Sequence, residues 1–406
     1  MTEAVDQARA HFAAGNTHFE AGRINAALAA FDAALALVPG RPSLLANRGA
    51  ALCRLARWNE AVPTLQAAVH ADPSHADAWA ALGLAQEALG QWVAAADGLQ
   101  RAMALGLRSA ALSLTLAVCQ LRLEQPAPAL RSLDQALALD ATLAQAWSVR
   151  GNLMRETGQL LDAAWCFEQA LAHGGDDALH RYYLASVRPG EPVPPYPPRA
   201  YVESLFDDYA PDFQHHLLQN LKYQAHSTLL APLLAEGRRW SLALDLGCGS
   251  GLCGQLLAPV CDAVDGVDVS RVMVAQATAS GAYRRVAHAE LLPFLAERGE
   301  PADLIVAADV FIYVGSIDAV VLAAAQRLAP GGVLAFSIEQ ADPGHDLQLR
   351  PSLRYAHGQS AIERLAASCG LGVRALWASA IREDQGQPVM GWYVLLQRTQ
   401  AKAVNA

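Results

Sequence analysis

Apolar residues in the first 170 positions follow the three-and-four spacing of packed helices, and the pattern returns as a block every 34 residues. Gly15, Gly49 and Gly83 open one series, which continues through Ala117 to Gly151. Ala27, Ala61, Ala95, Ala129 and Ala163 form a second, and Ala34, Ala68, Ala102, Ala136 and Ala170 a third. Between them a large apolar residue recurs as Phe31, Leu65, Leu99, Leu133 and Phe167. Each block holds two helical runs split by a short turn, such as Glu20-Ala21-Gly22-Arg23 or Ala88-Leu89-Gly90-Gln91. Small residues at fixed points let paired helices approach, and the large residue fills the space beside them. The fourth block departs most, with Ala117 in place of glycine and Pro126 and Pro128 around its turn.

This register resembles the tetratricopeptide repeat (TPR) family over about residues 8–177. The resemblance implies an all-α superhelix of about five repeats that binds a protein or peptide in its concave groove. A spacer or oligomerisation arm is the plainer alternative. Asn16 and Asn47 fall where some TPRs grip a C-terminal carboxylate, but Asp77 and Ala81 stand where cations would be needed.

The helical pattern runs on through residues 178–187, read as a capping helix, so that the array is expected to span 8–187. Six prolines crowd the eleven residues from Arg188 to Pro198. Proline removes donors and disfavours helix in the residue before it, so 188–198 is expected to be an extended linker. A second domain is then expected over 199–400, with amphipathic helices at 199–236 ahead of it.

The apolar run Ser241-Leu-Ala-Leu-Asp245 leads into Gly247, Gly249 and Gly251 and then a helix near Leu252. Glycines there allow a sharp turn and close approach of a ligand to the backbone. A second strand, Ala263–Val267, ends in Asp268, placed to accept hydrogen bonds from two ribose hydroxyls. Gly249-Ser-Gly251-Leu-Cys-Gly254 also fits GxGxxG, so an NAD(P)-dependent oxidoreductase stays open. Three features weigh against it. Asp245 precedes the first glycine, where it can meet the amino group of a methionine moiety. No second nucleotide-binding half follows. Gly391–Gln397 reads as a reversed final strand.

Asp245, Gly247, Gly249 and Gly251 resemble motif I, DxGxGxG, of class I S-adenosylmethionine-dependent methyltransferases, and the likeness extends over about residues 201–397. It implies an α/β Rossmann-like fold with a mostly parallel sheet and a reversed final strand, and S-adenosyl-L-methionine as cofactor. Asp268 would bind the ribose, and Glu290 would sit near the adenine amino group. Asp309 would end the fourth strand, with Val310 and Phe311 lining the cofactor or substrate side. The whole chain looks like bacterial predicted methyltransferases that carry TPRs. The implied function is methyl transfer to an unidentified acceptor, with the array binding a protein partner or substrate. A TPR adaptor with a non-catalytic cofactor domain is the alternative.

Because the sulfonium methyl is already activated, no side chain is forced to be catalytic. Residues 199–236 are a candidate lid, in which Tyr209 and His216 are weak candidates for a ligand contact or base. Phe206, Tyr209 and Phe213 equally fit a buried helical stripe. Glu339, Arg354, Tyr355 and His357 fall after the fifth strand, where substrate loops commonly sit.

A formal net charge of −9 argues against nucleic acid as a partner. Cys248, Cys253 and Cys261 lie in apolar surroundings and follow no metal spacing, so buried thiols are expected rather than metal ligands. The first residues lack the pattern of a signal peptide, and charges interrupt every apolar run before bilayer length. A soluble cytoplasmic protein is the expectation, with no membrane association.

Overall fold

The computed structural model describes residues 2–198, 201, 223–384 and 386–399. They divide into two compact units, Met1–Asp176 and Asp177–Ala406.

The first unit is ten helices in five antiparallel pairs: α1 (Thr2–Glu20) with α2 (Ile24–Leu37), α3 (Pro42–Arg54) with α4 (Trp58–Ala71), α5 (Ala76–Ala88) with α6 (Trp92–Ala104), α7 (Ala110–Arg122) with α8 (Pro126–Leu139), and α9 (Ala144–Glu156) with α10 (Leu160–Ala172). The small and large series meet inside each pair. A Cβ on Gly15 would lie 2.4 Å from the Phe31 ring, on Gly49 2.4 Å from Leu65, on Gly83 2.8 Å from Leu99, and on Gly151 2.5 Å from Phe167. The large partners are fully buried, so any added side chain would push the helices apart. In the fourth pair Ala117 and Leu133 are both fully buried, and the pairing survives the change. Pro126 and Pro128 open α8, where the first N–H groups have no helical partner to lose. Asn16 and Asn47, which the sequence placed at carboxylate-gripping positions, bond to each other at 2.7 Å.

Every pair turns in the same way. The N–H groups of Arg23, Arg57, Gln91, Gln125 and Gln159 bond back to the carbonyls of His18, Leu52, Gln86, Gln120 and Met154 at 2.8–2.9 Å. That closure requires a left-handed residue just before the donor. Three pairs supply glycine (Gly22, Gly90, Gly158), but the second and fourth use Ala56 at φ 53° and Glu124 at φ 56°. Non-glycine residues are strained there. Ala56→Gly and Glu124→Gly are therefore each expected to stabilise the unit by about 0.5–1 kcal/mol, read as higher midpoints in urea unfolding. Lower midpoints would contradict the strain argument.

The second unit begins with α11 (Asp177–Val187), the helix read from the sequence as a cap on the array. Its Tyr182 is fully buried here, donating to the Leu353 carbonyl at 2.8 Å and packing on the Tyr355 ring. The proline-rich segment is non-helical, and it is held by this unit. Tyr355 Oη donates to the Pro194 carbonyl at 2.9 Å, and Ser316 N–H to the Pro195 carbonyl at 2.7 Å.

After α12 (Ala225–Leu234) come β1 (Trp240–Leu246), α13 (Leu252–Leu257), β2 (Cys261–Asp268), α14 (Arg271–Ala279), β3 (Arg285–His288), α15 (Leu291–Ala296), β4 (Ala302–Ala307), α16 (Asp318–Arg327) and β5 (Leu328–Gln340). Two short strands, β6 (Leu347–Leu349) and β7 (Tyr355–His357), precede α17 (Gln359–Ser368) and the long hairpin β8 (Leu371–Asp384) and β9 (Gln387–Arg398). The parallel order is β3-β2-β1-β4-β5, and β9 closes antiparallel on β5 with β8 outside it. β7 adds to the C-terminal end of β5.

Alternation along β1 sorts the two cores. Leu242, Leu244 and Leu246 pack with residues of α15, α16 and α17. Ala243 turns to the other face with Leu229 and Leu233 of α12 and Leu257 of α13. By the period of two, Asp245 also points to that second face. The neighbours of β1 lie on opposite sides in chain order, which puts its C-terminal end at the sheet's topological switch point, where ligands of such folds bind.

Candidate functional site

Gly247, Gly249 and Gly251 all have positive φ, at 63°, 53° and 98°. The turn is closed by Cys248 N–H to the Val267 carbonyl at 3.0 Å and Gly251 N–H to the Cys248 carbonyl at 2.9 Å. A Cβ on Gly247 would stand 2.6 Å from Val310, whereas one on Gly249 would meet nothing within 4 Å. The loop therefore packs on its Val310 side and is open at Gly249.

Two carboxylates flank this loop. Asp268, at the end of β2, accepts from Gly249 N–H at 3.0 Å and from Ser270 N–H at 2.8 Å. The Val269 backbone adds to these, and a carboxylate with about four acceptor sites still has capacity for a ligand donor. Burial pushes its pKa up, and the backbone donors partly offset this. Asp245 is 1% exposed. Burial pushes its pKa up to about 7, a hydrogen bond from Tyr283 works the other way, and the charge of Asp268 adds to the rise. Cys248 and Cys253, beside Asp245, are held well above the ordinary thiol range by burial and stay protonated. Those two and Cys261 are all buried.

Glu290 lies two residues past β3, exposed, as the residue preceding α15. Asp309 lies two residues past β4 with φ 59°, in the left-handed region. Its N–H donates to Ser337 Oγ at 2.8 Å, and its carboxylate faces Arg382 Nη1 at 3.4 Å. Arg382, 3% exposed, also donates to Glu339, which is 1% exposed. Arg350 reaches the same glutamate at 3.6 Å. Beyond this network opens a cleft of about 480 Å³, lined by Glu339, Asp342, Arg350, Arg382, Pro388 and Met390.

The structure thus gathers Asp245, the three glycines and Asp268 around one turn, with Glu290 and Asp309 at the same edge of the sheet on either side. The other sequence candidates have structural employment. His357 Nε2 bonds the Gly315 carbonyl at 2.8 Å, and burial lowers its pKa to about 4, so the ring is neutral and donates that bond. Tyr355 holds Pro194, as above. Arg354 is packed over the Tyr313 ring. Tyr209 and His216, with most of the expected lid, lie outside the described residues. Three partners were not picked out beforehand: Tyr283, Ser337 and Arg382. For Tyr283 a signal existed in Gly254 and Gly266, two glycines that no turn requires.

Residues 244–334 match a family described as a methyltransferase domain, and residues 18–86 match a tetratricopeptide repeat family. The chain joins an N-terminal region that matches TPRs to a C-terminal region that matches a methyltransferase domain. That match, with the reversed β9, sets the oxidoreductase reading aside. Among solved structures, MamA is 22% identical, covering 43% of this chain and 93% of its own, with a TM-score of 0.39. The N-methyltransferase NodS from Bradyrhizobium japonicum WM9, solved with S-adenosyl-L-homocysteine, is 19% identical over 48% of this chain and 97% of its own, at 0.40. Magnesium protoporphyrin IX methyltransferase from Synechocystis PCC 6803, solved with S-adenosylmethionine, is 17% identical over 48% and 96%, at 0.38. No curated protein matches the chain. No helix among the described residues is long and apolar enough to cross a membrane.

The residues present fit the cofactor. An open glycine at φ 53° admits a ligand, one buried carboxylate can meet an ammonium, and a second retains acceptor capacity for a hydroxyl.

Proposed function

We propose that the second unit transfers a methyl group from S-adenosylmethionine to an acceptor, while the TPR region binds a protein that is the substrate or anchors the enzyme to one. The observation that carries this reading is the pair of carboxylates, Asp245 and Asp268, on either side of the open, left-handed glycine turn. Asp245 would take the ammonium of the methionine moiety and Asp268 the two ribose hydroxyls. Glu290 would lie by the adenine edge. Asp309 would border the pocket through its strained backbone and Val310, since its carboxylate is engaged by Arg382. When bound, the cofactor supplies an activated methyl group. The chain's part is to hold the acceptor in line and exclude water, which needs no dedicated base. The cleft at Glu339 and Arg350 is the candidate acceptor end. In this reading the protein works in the cytoplasm, where its seven unpaired cysteines stay reduced.

The test is incubation of the full chain with methyl-labelled S-adenosylmethionine and a lysate, followed by separation of protein from small molecules. Label transferred by the wild type and lost in Asp268→Ala is the expected result. Cofactor binding without transfer to any fraction would instead favour a TPR adaptor with a non-catalytic domain.

A further inference from the structure

The glycine turn is underlain by a side chain that the cofactor reading leaves unused. Tyr283 follows α14 and runs beneath the loop, with its Oη 2.7 Å from Asp245 Oδ2. Its ring fills space that three glycines leave open. A Cβ on Gly254 would lie 2.2 Å from the ring, on Gly266 3.0 Å, and on Gly251 3.2 Å. The third glycine of the apparent GxGxxG string therefore makes room for this tyrosine.

The direction of the hydrogen bonds follows from elementary donor rules. Gly254 N–H can only donate, and it points at Tyr283 Oη at 3.1 Å. The phenol oxygen is thus an acceptor there, and its single proton goes to Asp245. Burial and the neighbouring Asp245 raise the phenol's own pKa, which keeps that proton in place.

We infer that Tyr283 is a positioning residue for cofactor binding, holding Asp245 oriented and ionised so that it can receive the ammonium group. The inference rests on the reading of Asp245 given above. Among the described residues, Tyr283 is the side chain that donates to this carboxylate. The other titratable groups facing it are Asp268 from β2, Cys248 from the loop, Cys253 from α13 and Tyr223 ahead of α12. None helps the ionised form. Asp268 opposes it by like charge, and the thiols and Tyr223 are held in their neutral forms by burial. With the carboxylate of Asp245 at about 7, its charge state at neutral pH is finely balanced. Loss of the phenol proton donor moves the balance towards the neutral acid, which cannot pair with an ammonium.

The test is calorimetric titration of the full chain and Tyr283→Phe with S-adenosylhomocysteine, which keeps the amino acid and ribose, across the range from about pH 6 to about pH 9. Taking the ratio of the two dissociation constants cancels titration of the ligand's own amine. The ratio is expected to be about tenfold near pH 6 and to close to about twofold or less near pH 9, the signature of one pKa unit moved upward. In an Asp245→Asn background, Tyr283→Phe is expected to change the affinity less than about twofold. A ratio that stays flat with pH, or an equal loss in the Asn background, would reduce Tyr283 to a packing residue. If the wild type binds no S-adenosylhomocysteine at any pH, the cofactor reading fails, and this inference with it.

Discussion

Asp268→Ala is expected to weaken S-adenosylmethionine binding about 100-fold, or about 3 kcal/mol. A hydroxyl donor to an ionised acceptor contributes a net of about 1.5–3 kcal/mol, and two such bonds at the lower end give about 3 kcal/mol. The side chain also ties the loop to the sheet, since Gly249 N–H and Ser270 N–H both bond to it. Alanine would release the turn as well as the ribose. Asp268→Asn keeps one carbonyl oxygen and is expected to lose about tenfold. Calorimetric titration separates these cases, and equal affinity for wild type and alanine variant would remove Asp268 from the site.

Arg382→Met is expected to destabilise the second unit by about 3 kcal/mol at neutral pH, because the buried Glu339 and the mostly buried Asp309 lose the cation they share, and Arg350 remains only on Glu339. The sign of the pH dependence follows from Asp309. Burial already raises Asp309, and without Arg382 its folded pKa would rise further above the unfolded value. A raised carboxylate contributes stability below its unfolded pKa and loses it as pH rises through the folded one. The deficit of the variant should therefore shrink as pH falls towards about 4. Scanning calorimetry reads this, using the transition that S-adenosylmethionine shifts upward to mark the second unit. A deficit below about 1 kcal/mol at neutral pH would mean that water or another group already satisfies the carboxylates.

What could be read from the chain alone follows from the range over which each signal acts. The 34-residue period and the Gly247–Gly251 turn are local, and local spacing carries to the structure unchanged. The long β8 escaped because its alternation is broken: register shifts at Val373/Ala375 and Ala380/Arg382 interrupt the period of two. Arg382 sits at the second of these shifts. Its partners, Asp309 and Glu339, are 73 and 43 residues away in sequence, so no spacing rule ties them together. The allegiance of α11 was hidden for another reason. Its apolar stripe would suit a sixth repeat, whereas contacts distant in sequence, such as the bond from Tyr182 to Leu353, 171 residues away, and the packing of Tyr182 on Tyr355, tie it to the second unit. The proline segment is non-helical, with a turn at Gly190, and its carbonyls serve Tyr355 and Ser316, partners that composition cannot point to.

The carboxylate pair around the glycine turn is the centre of the account, and one titration tests it most directly. Full-length protein is titrated with S-adenosylmethionine and, separately, with NADH, alongside Asp245→Asn and Asp268→Ala. The account predicts saturable one-to-one binding of S-adenosylmethionine, weakened by both substitutions, and no heat from NADH. Binding of S-adenosylmethionine that neither substitution weakens, or tight binding of NADH, would contradict it.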